Sequence, residues 1–241
     1  MDDLTSGLDC NGGSSSRVYR GVMDALERGR MVPGQRLAET DLASRYGVGR
    51  NAVREAIQKL AGRGVVDLSR HRSPTIRQLD YEETMEVLDV ASVLSELVAR
   101  TAALRFDPGQ HKAALDDAMI TLELADNSEE SGAFSKARRN FYRTLLMIGG
   151  NRELLRLFPA VSMHIIYAQH QTPRLRGIRL ADYRQIMDDV AAKNPDAAAG
   201  SSRLHVEHIR DVIAHRGMGA ANGGNNEDAQ VESAAHAIGQ V

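Results

Sequence analysis

The sequence predicts a mainly α chain: an N-terminal winged helix-turn-helix with a small β hairpin, then an all-α bundle of about six helices. Three observations carry this. Residues 37–64, LAETDLASRYGVGRNAVREAIQKLAGRG, read as two short helices joined by a glycine turn, the second one basic. Two short runs, 64–68 and 74–79, read as strands joined by the basic loop 69–73. Beyond Asp80 the apolar periodicity is helical throughout and strand signals vanish.

Residues 1–15 are rich in Gly, Ser, Asn and Asp and are expected to be disordered. A first helix over 16–28 turns Val18, Val22, Ala25 and Leu26 inward, and Met31-Val32-Pro33-Gly34 makes the turn that follows. Leu42, Ala43 and Tyr46 form the apolar stripe of a short helix that stops at Gly47, a residue able to take positive φ without strain. Val48 packs inward and a new helix starts near Gly49 or Arg50, burying Val53, Ala56, Ile57 and Leu60.

That pattern leaves Arg50, Asn51, Arg54 and Gln58 outward, with Arg50 and Arg54 one turn apart on the same face. Arginine suits the O6 and N7 edge of guanine, and asparagine suits adenine. The plain alternative is a solvated basic helix, with Arg54 paired to Glu55 or Asp41. The following hairpin favours DNA, because a basic wing tip would lie along a phosphate backbone or a minor groove.

The bundle divides at its breakers. Asp80 caps a helix to about Phe106, and Asp107-Pro108-Gly109 starts the next, which runs to about Asp126. A polar loop over 127–132 precedes a helix over 134–148, and Gly149-Gly150-Asn151 ends it. A helix over 153–170 should kink at Pro159, and Thr172-Pro173 should open a connection to helices over 178–193 and 195–215. The units are then 1–15 (tail), 16–79 (winged helix-turn-helix), 80–216 (all-helical) and 217–241 (flexible tail).

The overall charge of −2 hides an asymmetry: residues 16–80 hold 13 Lys and Arg against 7 Asp and Glu, whereas 81–241 hold 17 against 22. Positive potential on one module implies a single polyanion-binding face. The one cysteine, Cys10, offers neither a disulfide framework nor a zinc cluster and fits a reducing interior. No apolar run approaches a membrane span and no signal peptide is recognised, so a cytoplasmic location is expected.

Residues 17–79 resemble the DNA-binding domain of the GntR family of bacterial transcription regulators. The matching residues are Gly29-Arg30, Pro33-Gly34, Arg36-Leu37, Glu39, Leu42-Ala43, Gly47-Val48, Arg50, Val53-Arg54-Glu55-Ala56, Leu60 and Gly64. The resemblance implies that Arg50 and Arg54 touch bases or phosphates and that His71 supplies a wing contact. Arg36, Thr40, Asn51, Lys59 and Arg72 complete the expected DNA-binding set. Two departures stand out: Gly49 replaces the usual Ser or Thr helix cap, and Arg72 occupies the wing-tip glycine.

Residues 80–216 resemble the FCD effector domain of the FadR subgroup, through Ala102-Ala103, Phe141 with Leu145, Gly150-Asn151-Leu154-Leu155, and His205. The resemblance implies a domain that dimerises, binds a small organic acid or an acyl thioester, and couples occupancy to the spacing of two DNA-binding domains. Most such domains hold a divalent metal with one Asp and three His, the first two in D-x-x-F-H. Aligned on Phe141, the four positions fall on Arg138, Tyr142, Tyr183 and His205, so one ligand of four remains. A guanidinium has no lone pair to give and repels a cation. No metal and no cofactor are therefore expected. An ion on His164 and His205 with a stray carboxylate would lack an ordered ligand set.

Two readings of the altered site remain open. Arg138 could replace the metal as the positive centre for a ligand carboxylate or phosphate, with the phenols donating hydrogen bonds, an arrangement that also suits an aromatic acid. Or the pocket has collapsed, with Arg138 offset by Asp182 or Asp188. An arginine common in the first helix of these domains falls at Ala91, which removes a usual contact to small acids.

The function expected is a homodimeric repressor that reads a near-palindromic operator in double-stranded DNA and answers a small-molecule effector. The alternative is a regulator with a degenerate pocket that answers a protein partner or DNA alone. An enzyme fused to a DNA anchor is disfavoured by the lack of a Gly-rich phosphate loop, H-E-x-x-H, or G-x-S-x-G.

Overall fold

The computed structural model describes residues 13–68, 73–161, 163–170 and 173–215. Helix α1 (Ser14–Glu27) begins two residues before the predicted start, inside the segment expected to be disordered, and buries Val18, Val22, Ala25 and Leu26. Helix α2 (Glu39–Tyr46) ends at Gly47, which takes the left-handed conformation at φ 60° and ψ 46°. Val48 N–H then bonds back to Ala43 O at 3.1 Å, closing the sharp turn. Helix α3 (Arg50–Ala61) follows an extended Gly49, which gives it no side-chain cap, and buries Val53, Ala56, Ile57 and Leu60 against α1.

Strands β1 (Val66–Asp67) and β2 (Thr75–Ile76) pair antiparallel, with Val66 opposite Ile76 and Asp67 opposite Thr75. They are shorter than the predicted runs, and β2 also pairs with the turn before α2. Ile76 N–H donates to Gln35 O at 2.8 Å, and Arg36 forms a bridge with Thr75. The loop 69–72 lies outside the described residues, so the placements expected for His71 and Arg72 do too.

Helix α4 (Tyr81–Arg105) opens with a capping box: Asp80 accepts from Glu83 N–H at 2.8 Å, and Glu83 accepts from Asp80 N–H at 3.0 Å. Helix α5 (Pro108–Asp126) has the predicted Pro in its first turn, under the Asp107 cap. Helix α6 (Ala133–Gly149) runs between two left-handed glycines, Gly132 and Gly150.

The helix predicted over 153–170 is instead two. Helix α7 (Arg152–Leu157) runs into a 3-10 turn (Phe158–Ala160), Val161 is extended, and helix α8 (Met163–Gln169) starts afresh. Pro159 lacks an N–H and crowds the preceding turn, and here the chain breaks instead of bending. Pro173 opens helix α9 (Pro173–Ala191) itself, five residues before the predicted start. A last helix, α10, covers 195–215.

Helices α4, α5, α6 and α9 enclose one apolar cluster that includes Val98, Leu115, Leu122, Phe141, Leu145 and Ile186. A second cluster begins in the winged helix with Val22, Leu26 and Ile57 and continues without a break into Leu88, Ile165, Ile166, Val206 and Ile209. The DNA-binding unit and the bundle therefore share a core. Polar ties reinforce it: Arg28, just past the end of α1, pairs with Glu130 at 2.9 Å, Ser131 Oγ donates to Arg28 O at 2.7 Å, and Arg139 on α6 pairs with Glu27.

Candidate functional site

Arg138 and Tyr142 lie one turn apart on α6, and Arg179 and Tyr183 repeat that spacing on α9. The guanidinium carbon of Arg138 sits 3.7 Å from the ring centre of Tyr167 on α8, and that of Arg179 sits 4.4 Å from it. Two cations and one aromatic face thus meet where three helices converge. Arg138 is only 8% exposed, and its Nε has no hydrogen-bond partner among the described residues. A buried guanidinium with no carboxylate on it carries a desolvation cost of about several kcal/mol unless an anion supplies the missing bonds.

Neither aspartate considered as a counter-ion is paired with it among the described residues. The Asp182 carboxylate is bound by His205 Nδ1 at 2.9 Å and His208 Nδ1 at 3.0 Å. Burial pushes the Asp182 pKa up, but the bonds from the two histidines outweigh it and hold the carboxyl below its ordinary value. His205 is 1% exposed, and burial drives its pKa down against the pull of Asp182, with both arginines adding to the fall. Its ring is neutral, with the proton on the nitrogen facing Asp182. Burial raises the Tyr142 and Tyr183 phenols, so both remain protonated donors. Tyr142 is within hydrogen-bonding reach of Ser95 on α4.

A cavity of about 970 Å³ opens beside this cluster, lined by Arg138, Tyr142, Tyr167 and His205 from the bundle and by Tyr19 and Met23 from α1. Ala91 also lines it, and its small side chain leaves that wall open. Tyr183 is fully buried with its ring 4.7 Å from that of His205, so it backs the histidine. The structure thus brings Arg138, Tyr142, Tyr183 and His205 together. His164 lies on α8, its side chain outside the described residues. Tyr167, Arg179 and Asp182 as the clamp on His205 were not assigned from sequence. The repeated Arg-x-x-x-Tyr spacing was the signal that could have found Arg179.

The donor set does not fit a divalent metal. Where three ligands would stand there are a guanidinium and two protonated phenols. Among the described residues, no three His, Cys, Asp or Glu side chains are grouped to hold an ion.

On the other unit, Arg36, Thr40, Arg50, Asn51, Arg54 and Lys59 are all exposed. Arg54 pairs with Glu39 at the start of α2 at 2.9 Å, not with Glu55 or Asp41. Glu55 instead takes Lys59 at 2.6 Å. Arg50, Asn51 and Arg54 occupy the first turns of α3, and Lys59 its last turn beside Ser15.

Comparison with known proteins identifies both units. The family described as "Bacterial regulatory proteins, gntR family" matches residues 14–76, and the FCD domain matches 86–208. The chain is 26% identical over 215 residues to a probable D-xylose utilization operon transcriptional repressor of Paenarthrobacter nicotinovorans, covering 87% of this chain and 91% of that one. It is 25% identical to the Nta operon transcriptional regulator of Aminobacter aminovorans, over 75% of this chain and 85% of that one. Its fold matches a putative GntR transcriptional regulator from Rhodococcus sp. RHA1 with TM-score 0.71 at 23% identity, covering 83% and 97% of the two chains. Among the described residues no helix is long and apolar enough to cross a membrane. With the helix-turn-helix on one side of the shared core and the FCD fold on the other, this chain belongs to the GntR family, FadR-like subgroup, and is a DNA-binding transcription regulator, not an enzyme.

Proposed function

We propose that this protein is a homodimeric repressor whose helical unit senses a small organic anion at Arg138 without a metal. The observation that carries this is the buried Arg138 guanidinium, unpaired with any carboxylate among the described residues, on the wall of a cavity large enough for a metabolite. A ligand carboxylate replaces the missing counter-charge, and the aromatic walls accommodate an aromatic body.

The repressor reading is supported by the relative from Paenarthrobacter nicotinovorans, itself described as a probable repressor. Dimerisation is supported by the exposed apolar stripe of Val90, Val93, Leu97 and Leu104 along α4, which a second copy would cover. Two copies of α3 then read two half-sites of a near-palindromic operator, with Arg50, Asn51 and Arg54 at base edges and Arg36, Thr40, Lys59, His71 and Arg72 at phosphates or the minor groove.

Tyr167 against Arg138 favours a second reading, a collapsed pocket in which the ring alone satisfies the cation. Thermal-shift titration with organic acids separates the two. A midpoint that rises with acid, is indifferent to chelator and is unmoved in Arg138→Met supports the sensor. No shift with any acid supports collapse.

A further inference from the structure

This inference rests on the Arg138 anion site proposed above and concerns what that site reads besides charge. Among the described residues, Arg138 Nε, the Tyr183 hydroxyl and His205 Nε2 are buried at the cavity or directly behind it with no hydrogen-bond partner. The first two are donors. The third is fixed by its neighbour. The Asp182 carboxylate has only lone pairs to offer, so the bond at 2.9 Å requires the proton on His205 Nδ1. The ring sits in an almost solvent-free wall with Arg138 and Arg179 nearby, and these hold it neutral. A neutral imidazole carries one proton, so Nε2 presents a bare lone pair.

A plain carboxylate cannot satisfy that atom. It brings lone pairs only, which suit Arg138 and are repelled by Nε2. The ligand needs a second group with a proton to give. The Tyr183 phenol behind His205, its ring tilted 47° to the imidazole with ring centres 4.7 Å apart, carries a further buried donor with no partner among the described residues. A hydroxyl can donate to His205, whereas a ketone oxygen or a methylene cannot.

We propose that His205 Nε2 is the specificity element of the effector site, accepting a hydrogen bond from a hydroxyl on the bound acid, so that the site selects hydroxylated carboxylic acids over their keto and deoxy counterparts. Asp182 is the positioning residue that fixes the tautomer, and His208 holds the other side of its carboxylate at 3.0 Å. A site built to pair a ligand hydroxyl discriminates strongly against analogues lacking it, because its own polar group is then left buried and unbonded.

The test uses the full-length protein in two arms. In the first, nitrogen-15 histidine spectra, assigned with His205→Gln, should show His205 as a neutral ring with its proton on Nδ1. An imidazolium, or a ring protonated on Nε2, overturns the proposal whatever binds. In the second, calorimetric titrations use matched acids: mandelate, phenylglyoxylate and phenylacetate; 3-hydroxybutyrate, acetoacetate and butyrate; 4-hydroxybenzoate and benzoate. Within any set that binds in an Arg138-dependent way, the hydroxy acid should bind about tenfold tighter or more. In His205→Phe that ratio should fall to about one while Arg138-dependent binding persists. Equal affinity for hydroxy and deoxy acids, still lost in Arg138→Met, overturns the role of His205 and leaves the anion site standing. Binding by no acid, or binding indifferent to Arg138→Met, overturns both.

Discussion

The Asp182 carboxylate is bound to His205 at 2.9 Å and is not paired with Arg138, although both lie in the same helical unit. Both partners titrate with the same sign. His205 has a folded pKa below the ordinary 6.5, so the unfolded chain takes up its proton first and stability falls as pH drops below about 6.5. Asp182 is also held below its ordinary 3.8, and its contribution, present above that value, is lost only in stronger acid. Denaturant melts between pH 7.5 and 5.5 should show stability declining on acidification, by at most ~1.4 kcal/mol per pH unit for this one proton. His205→Gln should flatten that slope.

Arg54→Ala should weaken operator binding by about 1–3 kcal/mol and relax base preference, whereas Lys59→Ala should weaken all sequences about equally. The positions of the two side chains, in the first turns and in the last turn of α3, underlie the contrast. Fluorescence anisotropy on operator and random duplexes measures both, and equal losses on the two DNAs for Arg54→Ala would remove it as a base reader.

Gln169 on α8 holds both polar groups of Leu79, accepting from its N–H at 2.8 Å and donating to its carbonyl at 2.9 Å. Tyr167, two residues earlier, lies against Arg138. One short helix therefore touches both Arg138 of the proposed anion site and the residue preceding the Asp80 cap. Gln169→Ala should cost about 1–3 kcal/mol of stability and reduce the effect of ligand on DNA affinity. The variant is checked by denaturant melts and by operator titrations with and without a bound acid.

Val93→Glu should convert the proposed dimer to a monomer and lower operator affinity at least ~10-fold, since a single winged helix reads too short a site. Sedimentation velocity decides the first point.

Gly149 lets α6 approach α4 so closely that an added Cβ would lie 2.7 Å from Thr101 Oγ1 and 3.3 Å from the Ala102 nitrogen. Gly149→Ala should destabilise the bundle by about 1–3 kcal/mol, read as a fall in melting midpoint.

The helix-turn-helix was legible because its signals are local. Gly47 had to turn, and Val53, Ala56, Ile57 and Leu60 had to face one way. The caps at Asp80 and Asp107 were equally plain. Pro159 was visible as a disturbance, but whether it bends or breaks a helix depends on packing against α8, which spacing does not encode. At the site, Arg138, Tyr142, Tyr183 and His205 could be named by aligning on Phe141. Tyr167 could not, because it arrives from a helix with no motif of its own. The state of Arg138 depended on where Asp182 points, and a helix one residue before Tyr183 offers that carboxylate to α6 and α10 alike; the structure gives it to α10.

The most direct test of a metal-free anion sensor is calorimetric titration of the full-length protein with organic acids in the presence of chelator, wild type against Arg138→Met. The account predicts saturable binding that survives chelation and is lost in the variant. Binding that requires Zn²⁺ or Ni²⁺ and is unchanged in Arg138→Met would contradict it.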